Sequence, residues 1–177
     1  MRRLLALALT LAPMAAPAAD VNFCWQGQNG YTMTGHMRIP DGKMFKAVVT
    51  EADVTAFKIA GYAKGQLLGT WDMRQVQPGT TWHLRFDPLG MTFLTGGSFA
   101  GTHSQGWNAD GNVENCGNPG FGFNSGNYAQ DICVNGTYIE TSSIDPATPF
   151  VATFASVRPD CGNTVPMSKS PIRESGD

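Results

Sequence analysis

The sequence predicts an all-β protein: an antiparallel β-sandwich or flattened barrel of about nine or ten strands, with a disulfide-stapled, glycine-rich loop. Three observations carry this expectation. Apolar residues alternate with polar ones instead of recurring every three or four positions, which is the period of half-buried strands. Turn dipeptides such as Asn29-Gly30 and Asn135-Gly136 separate the alternating runs at short intervals. Four cysteines, an even number, follow a segment laid out like an export signal.

That segment begins with Arg2 and Arg3, continues with an apolar run over residues 4–12, and closes on Ala16-Pro17-Ala18. It has the charged, apolar and small-residue parts of a secretory signal, with the A-x-A match placing cleavage after Ala18 and Ala19 next in line. The apolar part is too short to span a bilayer, so no membrane anchor is expected in the mature form. A lipoprotein would need a cysteine as its first mature residue, and Cys24 stands further on. The arginine pair lacks the flanking residues of the twin-arginine route, which leaves the general secretory route. The expected organisation is a signal peptide over 1–18, one all-β domain over 19–161 and a disordered tail over 162–177, where Ser, Pro and charge leave little to bury. The product is expected in the periplasm or the medium.

Loss of Arg2 and Arg3 takes the formal charge from −2 to −4. A mildly acidic domain has no electrostatic reason to bind nucleic acid or an anionic membrane surface. Charged residues are only 15% of the chain, so Thr, Ser, Asn and Gln must supply surface polarity.

The clearest strand is Thr81-Trp82-His83-Leu84-Arg85-Phe86-Asp87, with Trp82, Leu84 and Phe86 on one face. The runs from Tyr31 to Ile39 and Phe57-Lys58-Ile59 repeat the pattern. Between them stand Asn29-Gly30, Pro40-Asp41-Gly42, Lys64-Gly65, Pro78-Gly79, Pro88-Leu89-Gly90, Asp110-Gly111 and Asn135-Gly136, and the Asn-Gly and Asp-Gly pairs supply the positive φ of tight hairpins. No stretch of the mature chain carries a sustained helical period, and a turn is expected around residues 50–54, where Glu51-Ala52-Asp53 tolerates helix. Residues 96–126, rich in Gly, Ser and Asn, read as one long loop that needs a staple to hold a shape.

Cys24, Cys116, Cys133 and Cys161 all fall in the mature part, and three pairings are open to them. Cys116 with Cys133 closes the glycine-rich loop, and Cys24 with Cys161 ties the ends of the domain, so this pairing is favoured. Zinc would need cysteines two to four positions apart, and none are. No cofactor is expected.

Candidate chemistry competes with plainer roles. Gly96-Gly97-Ser98-Phe99-Ala100 resembles a nucleophile elbow but lacks its last glycine and its strand-turn-helix setting. Ser104 adjoins His103, and strand neighbours point to opposite faces. His36 and His83 occupy the polar phase of their strands. Residues 108–114 present oxygen side chains at alternate positions but lack the first and last calcium ligands of an EF-hand, and a type I′ turn at Asp110-Gly111 accounts for them. Glu51 and Asp53 stand two apart with no partner that marks a catalytic pair. The aromatic residues Trp107, Phe121, Phe123 and Tyr128, beside Asn108, remain as a candidate sugar-binding platform, in which ring faces stack and amides bind hydroxyls. The competing reading folds these rings inward over the core.

The runs Val54-Thr55-Ala56-Phe57-Lys58-Ile59, Gly69-Thr70-Trp71-Asp72 and Thr81-Trp82-His83-Leu84-Arg85-Phe86-Asp87-Pro88 resemble a pattern in uncharacterised secreted bacterial β proteins, some associated with PEP-CTERM sorting. The Pro-Glu-Pro motif, hydrophobic segment and basic end of that system are not found here, so the resemblance implies export and β architecture only. The expected function is a non-enzymatic binding or envelope-structural module whose partner is a glycan or cell-envelope component. The alternative is a secreted hydrolase of glycans or esters whose residues meet only in three dimensions.

Overall fold

The computed structural model describes residues 18–98, 101–156 and 161. The expected signal peptide, apart from Ala18, and the expected tail 162–177 lie outside them. Thirteen strands are present among the described residues: β1 (Ala18–Gln26), β2 (Tyr31–Pro40), β3 (Val49–Thr50), β4 (Ala56–Ala63), β5 (Gln66–Asp72), β6 (Trp82–His83), β7 (Arg85–Asp87), β8 (Thr92–Phe93), β9 (Gln105–Trp107), β10 (Phe121–Ser125), β11 (Gln130–Val134), β12 (Thr137–Tyr138) and β13 (Phe150–Phe154).

They form two antiparallel sheets. The larger runs β3-β7-β8-β13-β1-β2-β4-β5 and curls into a half-barrel, and the smaller runs β12-β11-β10-β9-β6. β1 pairs with β2 and β4 with β5 across tight turns, whereas β2 pairs with β4 across a longer connection, residues 41–55, that contains β3. At Asn29-Gly30 and Lys64-Gly65 both residues have positive φ (55° and 81°, 48° and 83°). That left-handed pair matches the twist of the strands it connects. Asn135-Gly136 does the same between β11 and β12, at 52° and 73°.

Alternation then sorts the side chains. Val21, Phe23 and Trp25 on β1, Met33, Met37 and Ile39 on β2, and Phe57 and Ile59 on β4 all point into one core shared by both sheets. Trp107 of β9 lies in the middle of it, with ring centroids 4.7 Å from Phe57, 4.9 Å from Phe123 and 5.1 Å from Phe93. Each such aromatic contact contributes about 0.5–1.5 kcal/mol beyond the area it buries. Phe121 of β10 is seated directly on Gly61 and Gly69, register partners on β4 and β5, where a Cβ at either position would collide with it.

Three expectations differ from what is observed. The run 81–87 is two strands: β6 pairs with β9 in the small sheet, whereas β7 pairs with β3 and β8 in the large one. The chain changes sheets at Leu84, which remains in the core, so unbroken alternation conceals the break. Such short pieces, and two strands inside 96–126, raise the number above nine or ten. That segment is not one long loop, because β9 and β10 lie within it. Their residues are buried throughout, as are the first four of β11, so these strands carry no wet face and no alternation for the sequence to display. The turn expected around residues 50–54 is present at residues 51–53. There Asp53 accepts hydrogen bonds from the N–H and hydroxyl of Thr50 (3.1 and 3.0 Å) and ion-pairs with Lys43 and Lys46.

Cys24 is joined to Cys161 and Cys116 to Cys133. The second bond holds residues 109–116 against the outer face of the small sheet, where Ala109, Val113, Cys116 and Cys133 make a separate apolar cluster with Tyr138 beside it. No helix among the described residues is long and apolar enough to cross a membrane.

Candidate functional site

The aromatic platform expected from the sequence does not form. Trp107, Phe121 and Phe123 are each 0% exposed and belong to the core. The cause is strand geometry: Phe121 and Phe123 occupy the inward phase of β10 and pair in register with β11 and β9, so a Gly-rich context places them under the second sheet instead of on a rim. Asn108 is structural as well. Its amide donates to the carbonyls of Cys116 (2.8 Å) and Phe121 (3.0 Å), closing the base of the stapled loop. Tyr128 alone of the five is outside, 90% exposed in the hairpin between β10 and β11.

The histidines scatter. His36 pairs with Asp20 at 3.0 Å on the outer face of the large sheet, and His103 meets the Thr102 hydroxyl at 2.9 Å. His83 Nε2 lies 3.1 Å from Ser104 Oγ. Burial, with the Arg85 charge beside it, holds the His83 imidazole below its ordinary pKa. Ser104 is fully buried, so this pair offers no substrate a nucleophile. Among the described residues no three His, Cys, Asp or Glu side chains are grouped to hold a metal ion. Two side-chain oxygens of residues 108–115 are engaged within the loop: Asp110 Oδ1 accepts from the Asn112 N–H (2.9 Å) and Asn115 Oδ1 from the Asp110 N–H (2.8 Å). Neither Asp110 nor Gly111 has positive φ, so the type I′ turn expected there is absent; the Asp110 side chain makes the turn instead.

Most of the carboxylates that are partly or wholly buried have cationic partners. Asp20 binds Arg38, Glu51 binds Arg85 at 2.7 Å, Asp72 binds Arg74, and Asp53 sits between its two lysines. Burial alone would raise the Asp53 pKa, but the bonds from Lys46, Thr50 and Lys43 outweigh it and hold the carboxyl far below the usual range.

Asp131 differs. It is 4% exposed and makes no ion pair among the described residues. Burial pushes its carboxyl up to about 6, against the weaker opposing effect of the Asn124 amide and the Ser143 hydroxyl. Asn124 and Asp131 are register partners across β10 and β11, four-residue neighbours of a hairpin whose tip carries Tyr128. Asn124 Nδ2 faces Asp131 Oδ1 at 3.4 Å. A carboxylate demands a donor, which fixes the amide this way round and leaves Asn124 Oδ1 buried with no partner.

These two residues lie in a cleft of about 450 Å³ on the outer face of the small sheet. The stapled loop forms one wall through Gly111, Asn112 and Val113, and the hairpin forms the other through Gly126, Asn127 and Tyr128. A methyl group added at Gly126 would make ordinary contact with the Asn124 amide, 3.7 Å from Nδ2 and 3.9 Å from Oδ1. Val113 has φ of 60°. For a β-branched residue that conformation costs about 1–3 kcal/mol and must be imposed by its surroundings. A strained valine, an unpartnered amide oxygen and an uncompensated carboxylate thus converge on one cleft, and such local costs gather at functional sites. Asn124 and Asp131 escaped the sequence reading. The only signal was their equal distance from the tip of the Gly126-Asn127-Tyr128-Ala129 turn, which makes them partners once a hairpin is assumed there.

No protein-family model matches this chain, and no curated protein or solved structure shows significant similarity to it.

Proposed function

We propose that this protein is an exported, non-enzymatic binding domain, and that the cleft between the Cys116–Cys133 loop and the β10–β11 hairpin holds a carbohydrate. The observation that carries this reading is the pairing of an exposed ring, Tyr128, with buried polar groups, Asn124 and Asp131, in one concave site. Sugars present both an apolar ring face, which stacks on an aromatic side chain, and hydroxyls, which satisfy amides and carboxylates. Asn112 and Asn127 add amides at the wall and rim. A volume of about 450 Å³ falls within the range of small-ligand sites.

Two disulfides support an oxidising compartment, periplasmic or extracellular. Binding is favoured over hydrolysis because, among the described residues, Asp131 has no second carboxylate lining the same cleft, as a glycosidase requires. A glycan array probed with the exported protein tests the reading. The expected result is retention on a defined glycan set that disappears in Tyr128→Ala while the melting temperature stays unchanged. An array with no retained glycan overturns it.

A further inference from the structure

Resting on the carbohydrate reading above, we propose that the sugar carries a free protonated amine: an unacetylated amino-sugar unit whose ammonium meets Asp131 and whose ring lies on Tyr128. Among the described residues no lysine, arginine or histidine lines the cleft. Its floor carries instead the Asp131 carboxylate, with the Asn124 amide packed against it.

A neutral hydroxyl satisfies such a floor only in part, because it brings no charge to set against the carboxylate. An N-acetyl group fits less well, since its carbonyl is a further acceptor and its methyl is apolar. An ammonium has three donors and no acceptor, and it is compact enough to reach a recessed carboxylate. A buried carboxylate without a counter-charge is unfavourable in the free protein, and an incoming cation removes that penalty on binding. The exposed Tyr128 ring favours the same ligand twice, through its contact with the sugar face and through the attraction of its π-face for a cation.

The test is calorimetric titration of the exported, disulfide-intact protein at near-neutral pH with glucosamine oligosaccharides and, separately, with N-acetylglucosamine oligosaccharides of the same length. The free-amine oligomer is expected to bind at least about tenfold tighter. Asp131→Asn, a change of one atom, is expected to abolish that preference without abolishing binding of the acetylated oligomer, and Tyr128→Ala to weaken both. Equal affinity for the two oligomers overturns the amine assignment and leaves the carbohydrate reading standing. Binding of neither oligomer overturns the amine assignment, and the glycan array then decides the carbohydrate reading. A plain alkylammonium ion or calcium that binds as tightly as the oligomer overturns the sugar component, and the proposal with it.

Discussion

Gln105 and Arg85 are joined by two hydrogen bonds running in opposite directions: the Arg85 N–H donates to Gln105 Oε1 at 3.1 Å, and Gln105 Nε2 donates to the Arg85 carbonyl at 2.7 Å. The side-chain amide thereby takes the place of a neighbouring strand where the chain leaves the small sheet for the large one. Nε2 also donates to the Leu94 carbonyl at 2.8 Å, and Gln105 is fully buried. Buried backbone groups at a sheet switch need such a substitute, since water does not reach them.

Gln105→Met, which keeps the volume and removes the amide, strands the Arg85 N–H and the Leu94 carbonyl, while the Arg85 carbonyl keeps its bond from the Leu94 N–H at 2.9 Å. The expected loss is about 3 kcal/mol of stability, at about 1–3 kcal/mol for each unsatisfied group less what relaxation recovers. Urea unfolding measures it, and an unchanged midpoint would show that the amide does not hold the switch together.

Asp131 makes a prediction of unusual sign. Its carboxyl is pushed up to about 6 from an ordinary value of 3.8, because burial disfavours the charge. Below about pH 4 the group is protonated in both states and costs nothing. Between about pH 4 and pH 6 the unfolded chain ionises first, and stability falls. Above about pH 6 the full difference, about 3 kcal/mol, works against the fold. Asp131→Asn is therefore expected to raise the melting temperature at neutral pH and to match the parent protein in acid. A variant equally stable at both pH values would show that the carboxyl is not perturbed.

Trp107 and Tyr128, indistinguishable as candidates in the sequence, are expected to separate by experiment. Trp107→Ala empties the centre of the core and should cost about 3–5 kcal/mol. Tyr128→Ala removes an exposed ring and should shift stability by no more than about 0.5 kcal/mol. Thermal melts of the two variants check this. A large shift in the second would place Tyr128 in the packing rather than in a binding rim.

The Cys116–Cys133 bond closes a loop with a sequence separation of 17. In the chain-entropy model, replacing both cysteines by serine lowers stability by about 3 kcal/mol. Because the same bond holds the cleft wall formed by Gly111, Asn112 and Val113, ligand affinity should fall even where the variant remains folded. Affinity measured well below the variant's melting temperature separates the two effects, and unchanged affinity would detach the loop from the site. Mass spectrometry of the unreduced parent should find no free thiol.

Much of the large sheet is legible in the sequence because one of its faces is wet. Alternation in β2 and β4 and the Asn29-Gly30 and Lys64-Gly65 turns are local signals, each complete within a few residues. The small sheet is not legible. β10 and β11 are covered on one side by the core and on the other by the loop that Cys116 pins to Cys133, so burial on both faces erases the period. The site suffered for the same reason: aromatic content pointed to Trp107, Phe121 and Phe123, and register turned all three inward.

What the sequence determined by itself was therefore the class of backbone, the places where it turns and the cysteines available as staples, since these depend on neighbours along the chain. Which rings face water, where residues 81–87 change sheets and how Asn124 comes to stand opposite Asp131 were decided only in the tertiary structure. Each depends on contacts between segments far apart in sequence, and a cleft made by closing a loop over a sheet has no local pattern to announce it.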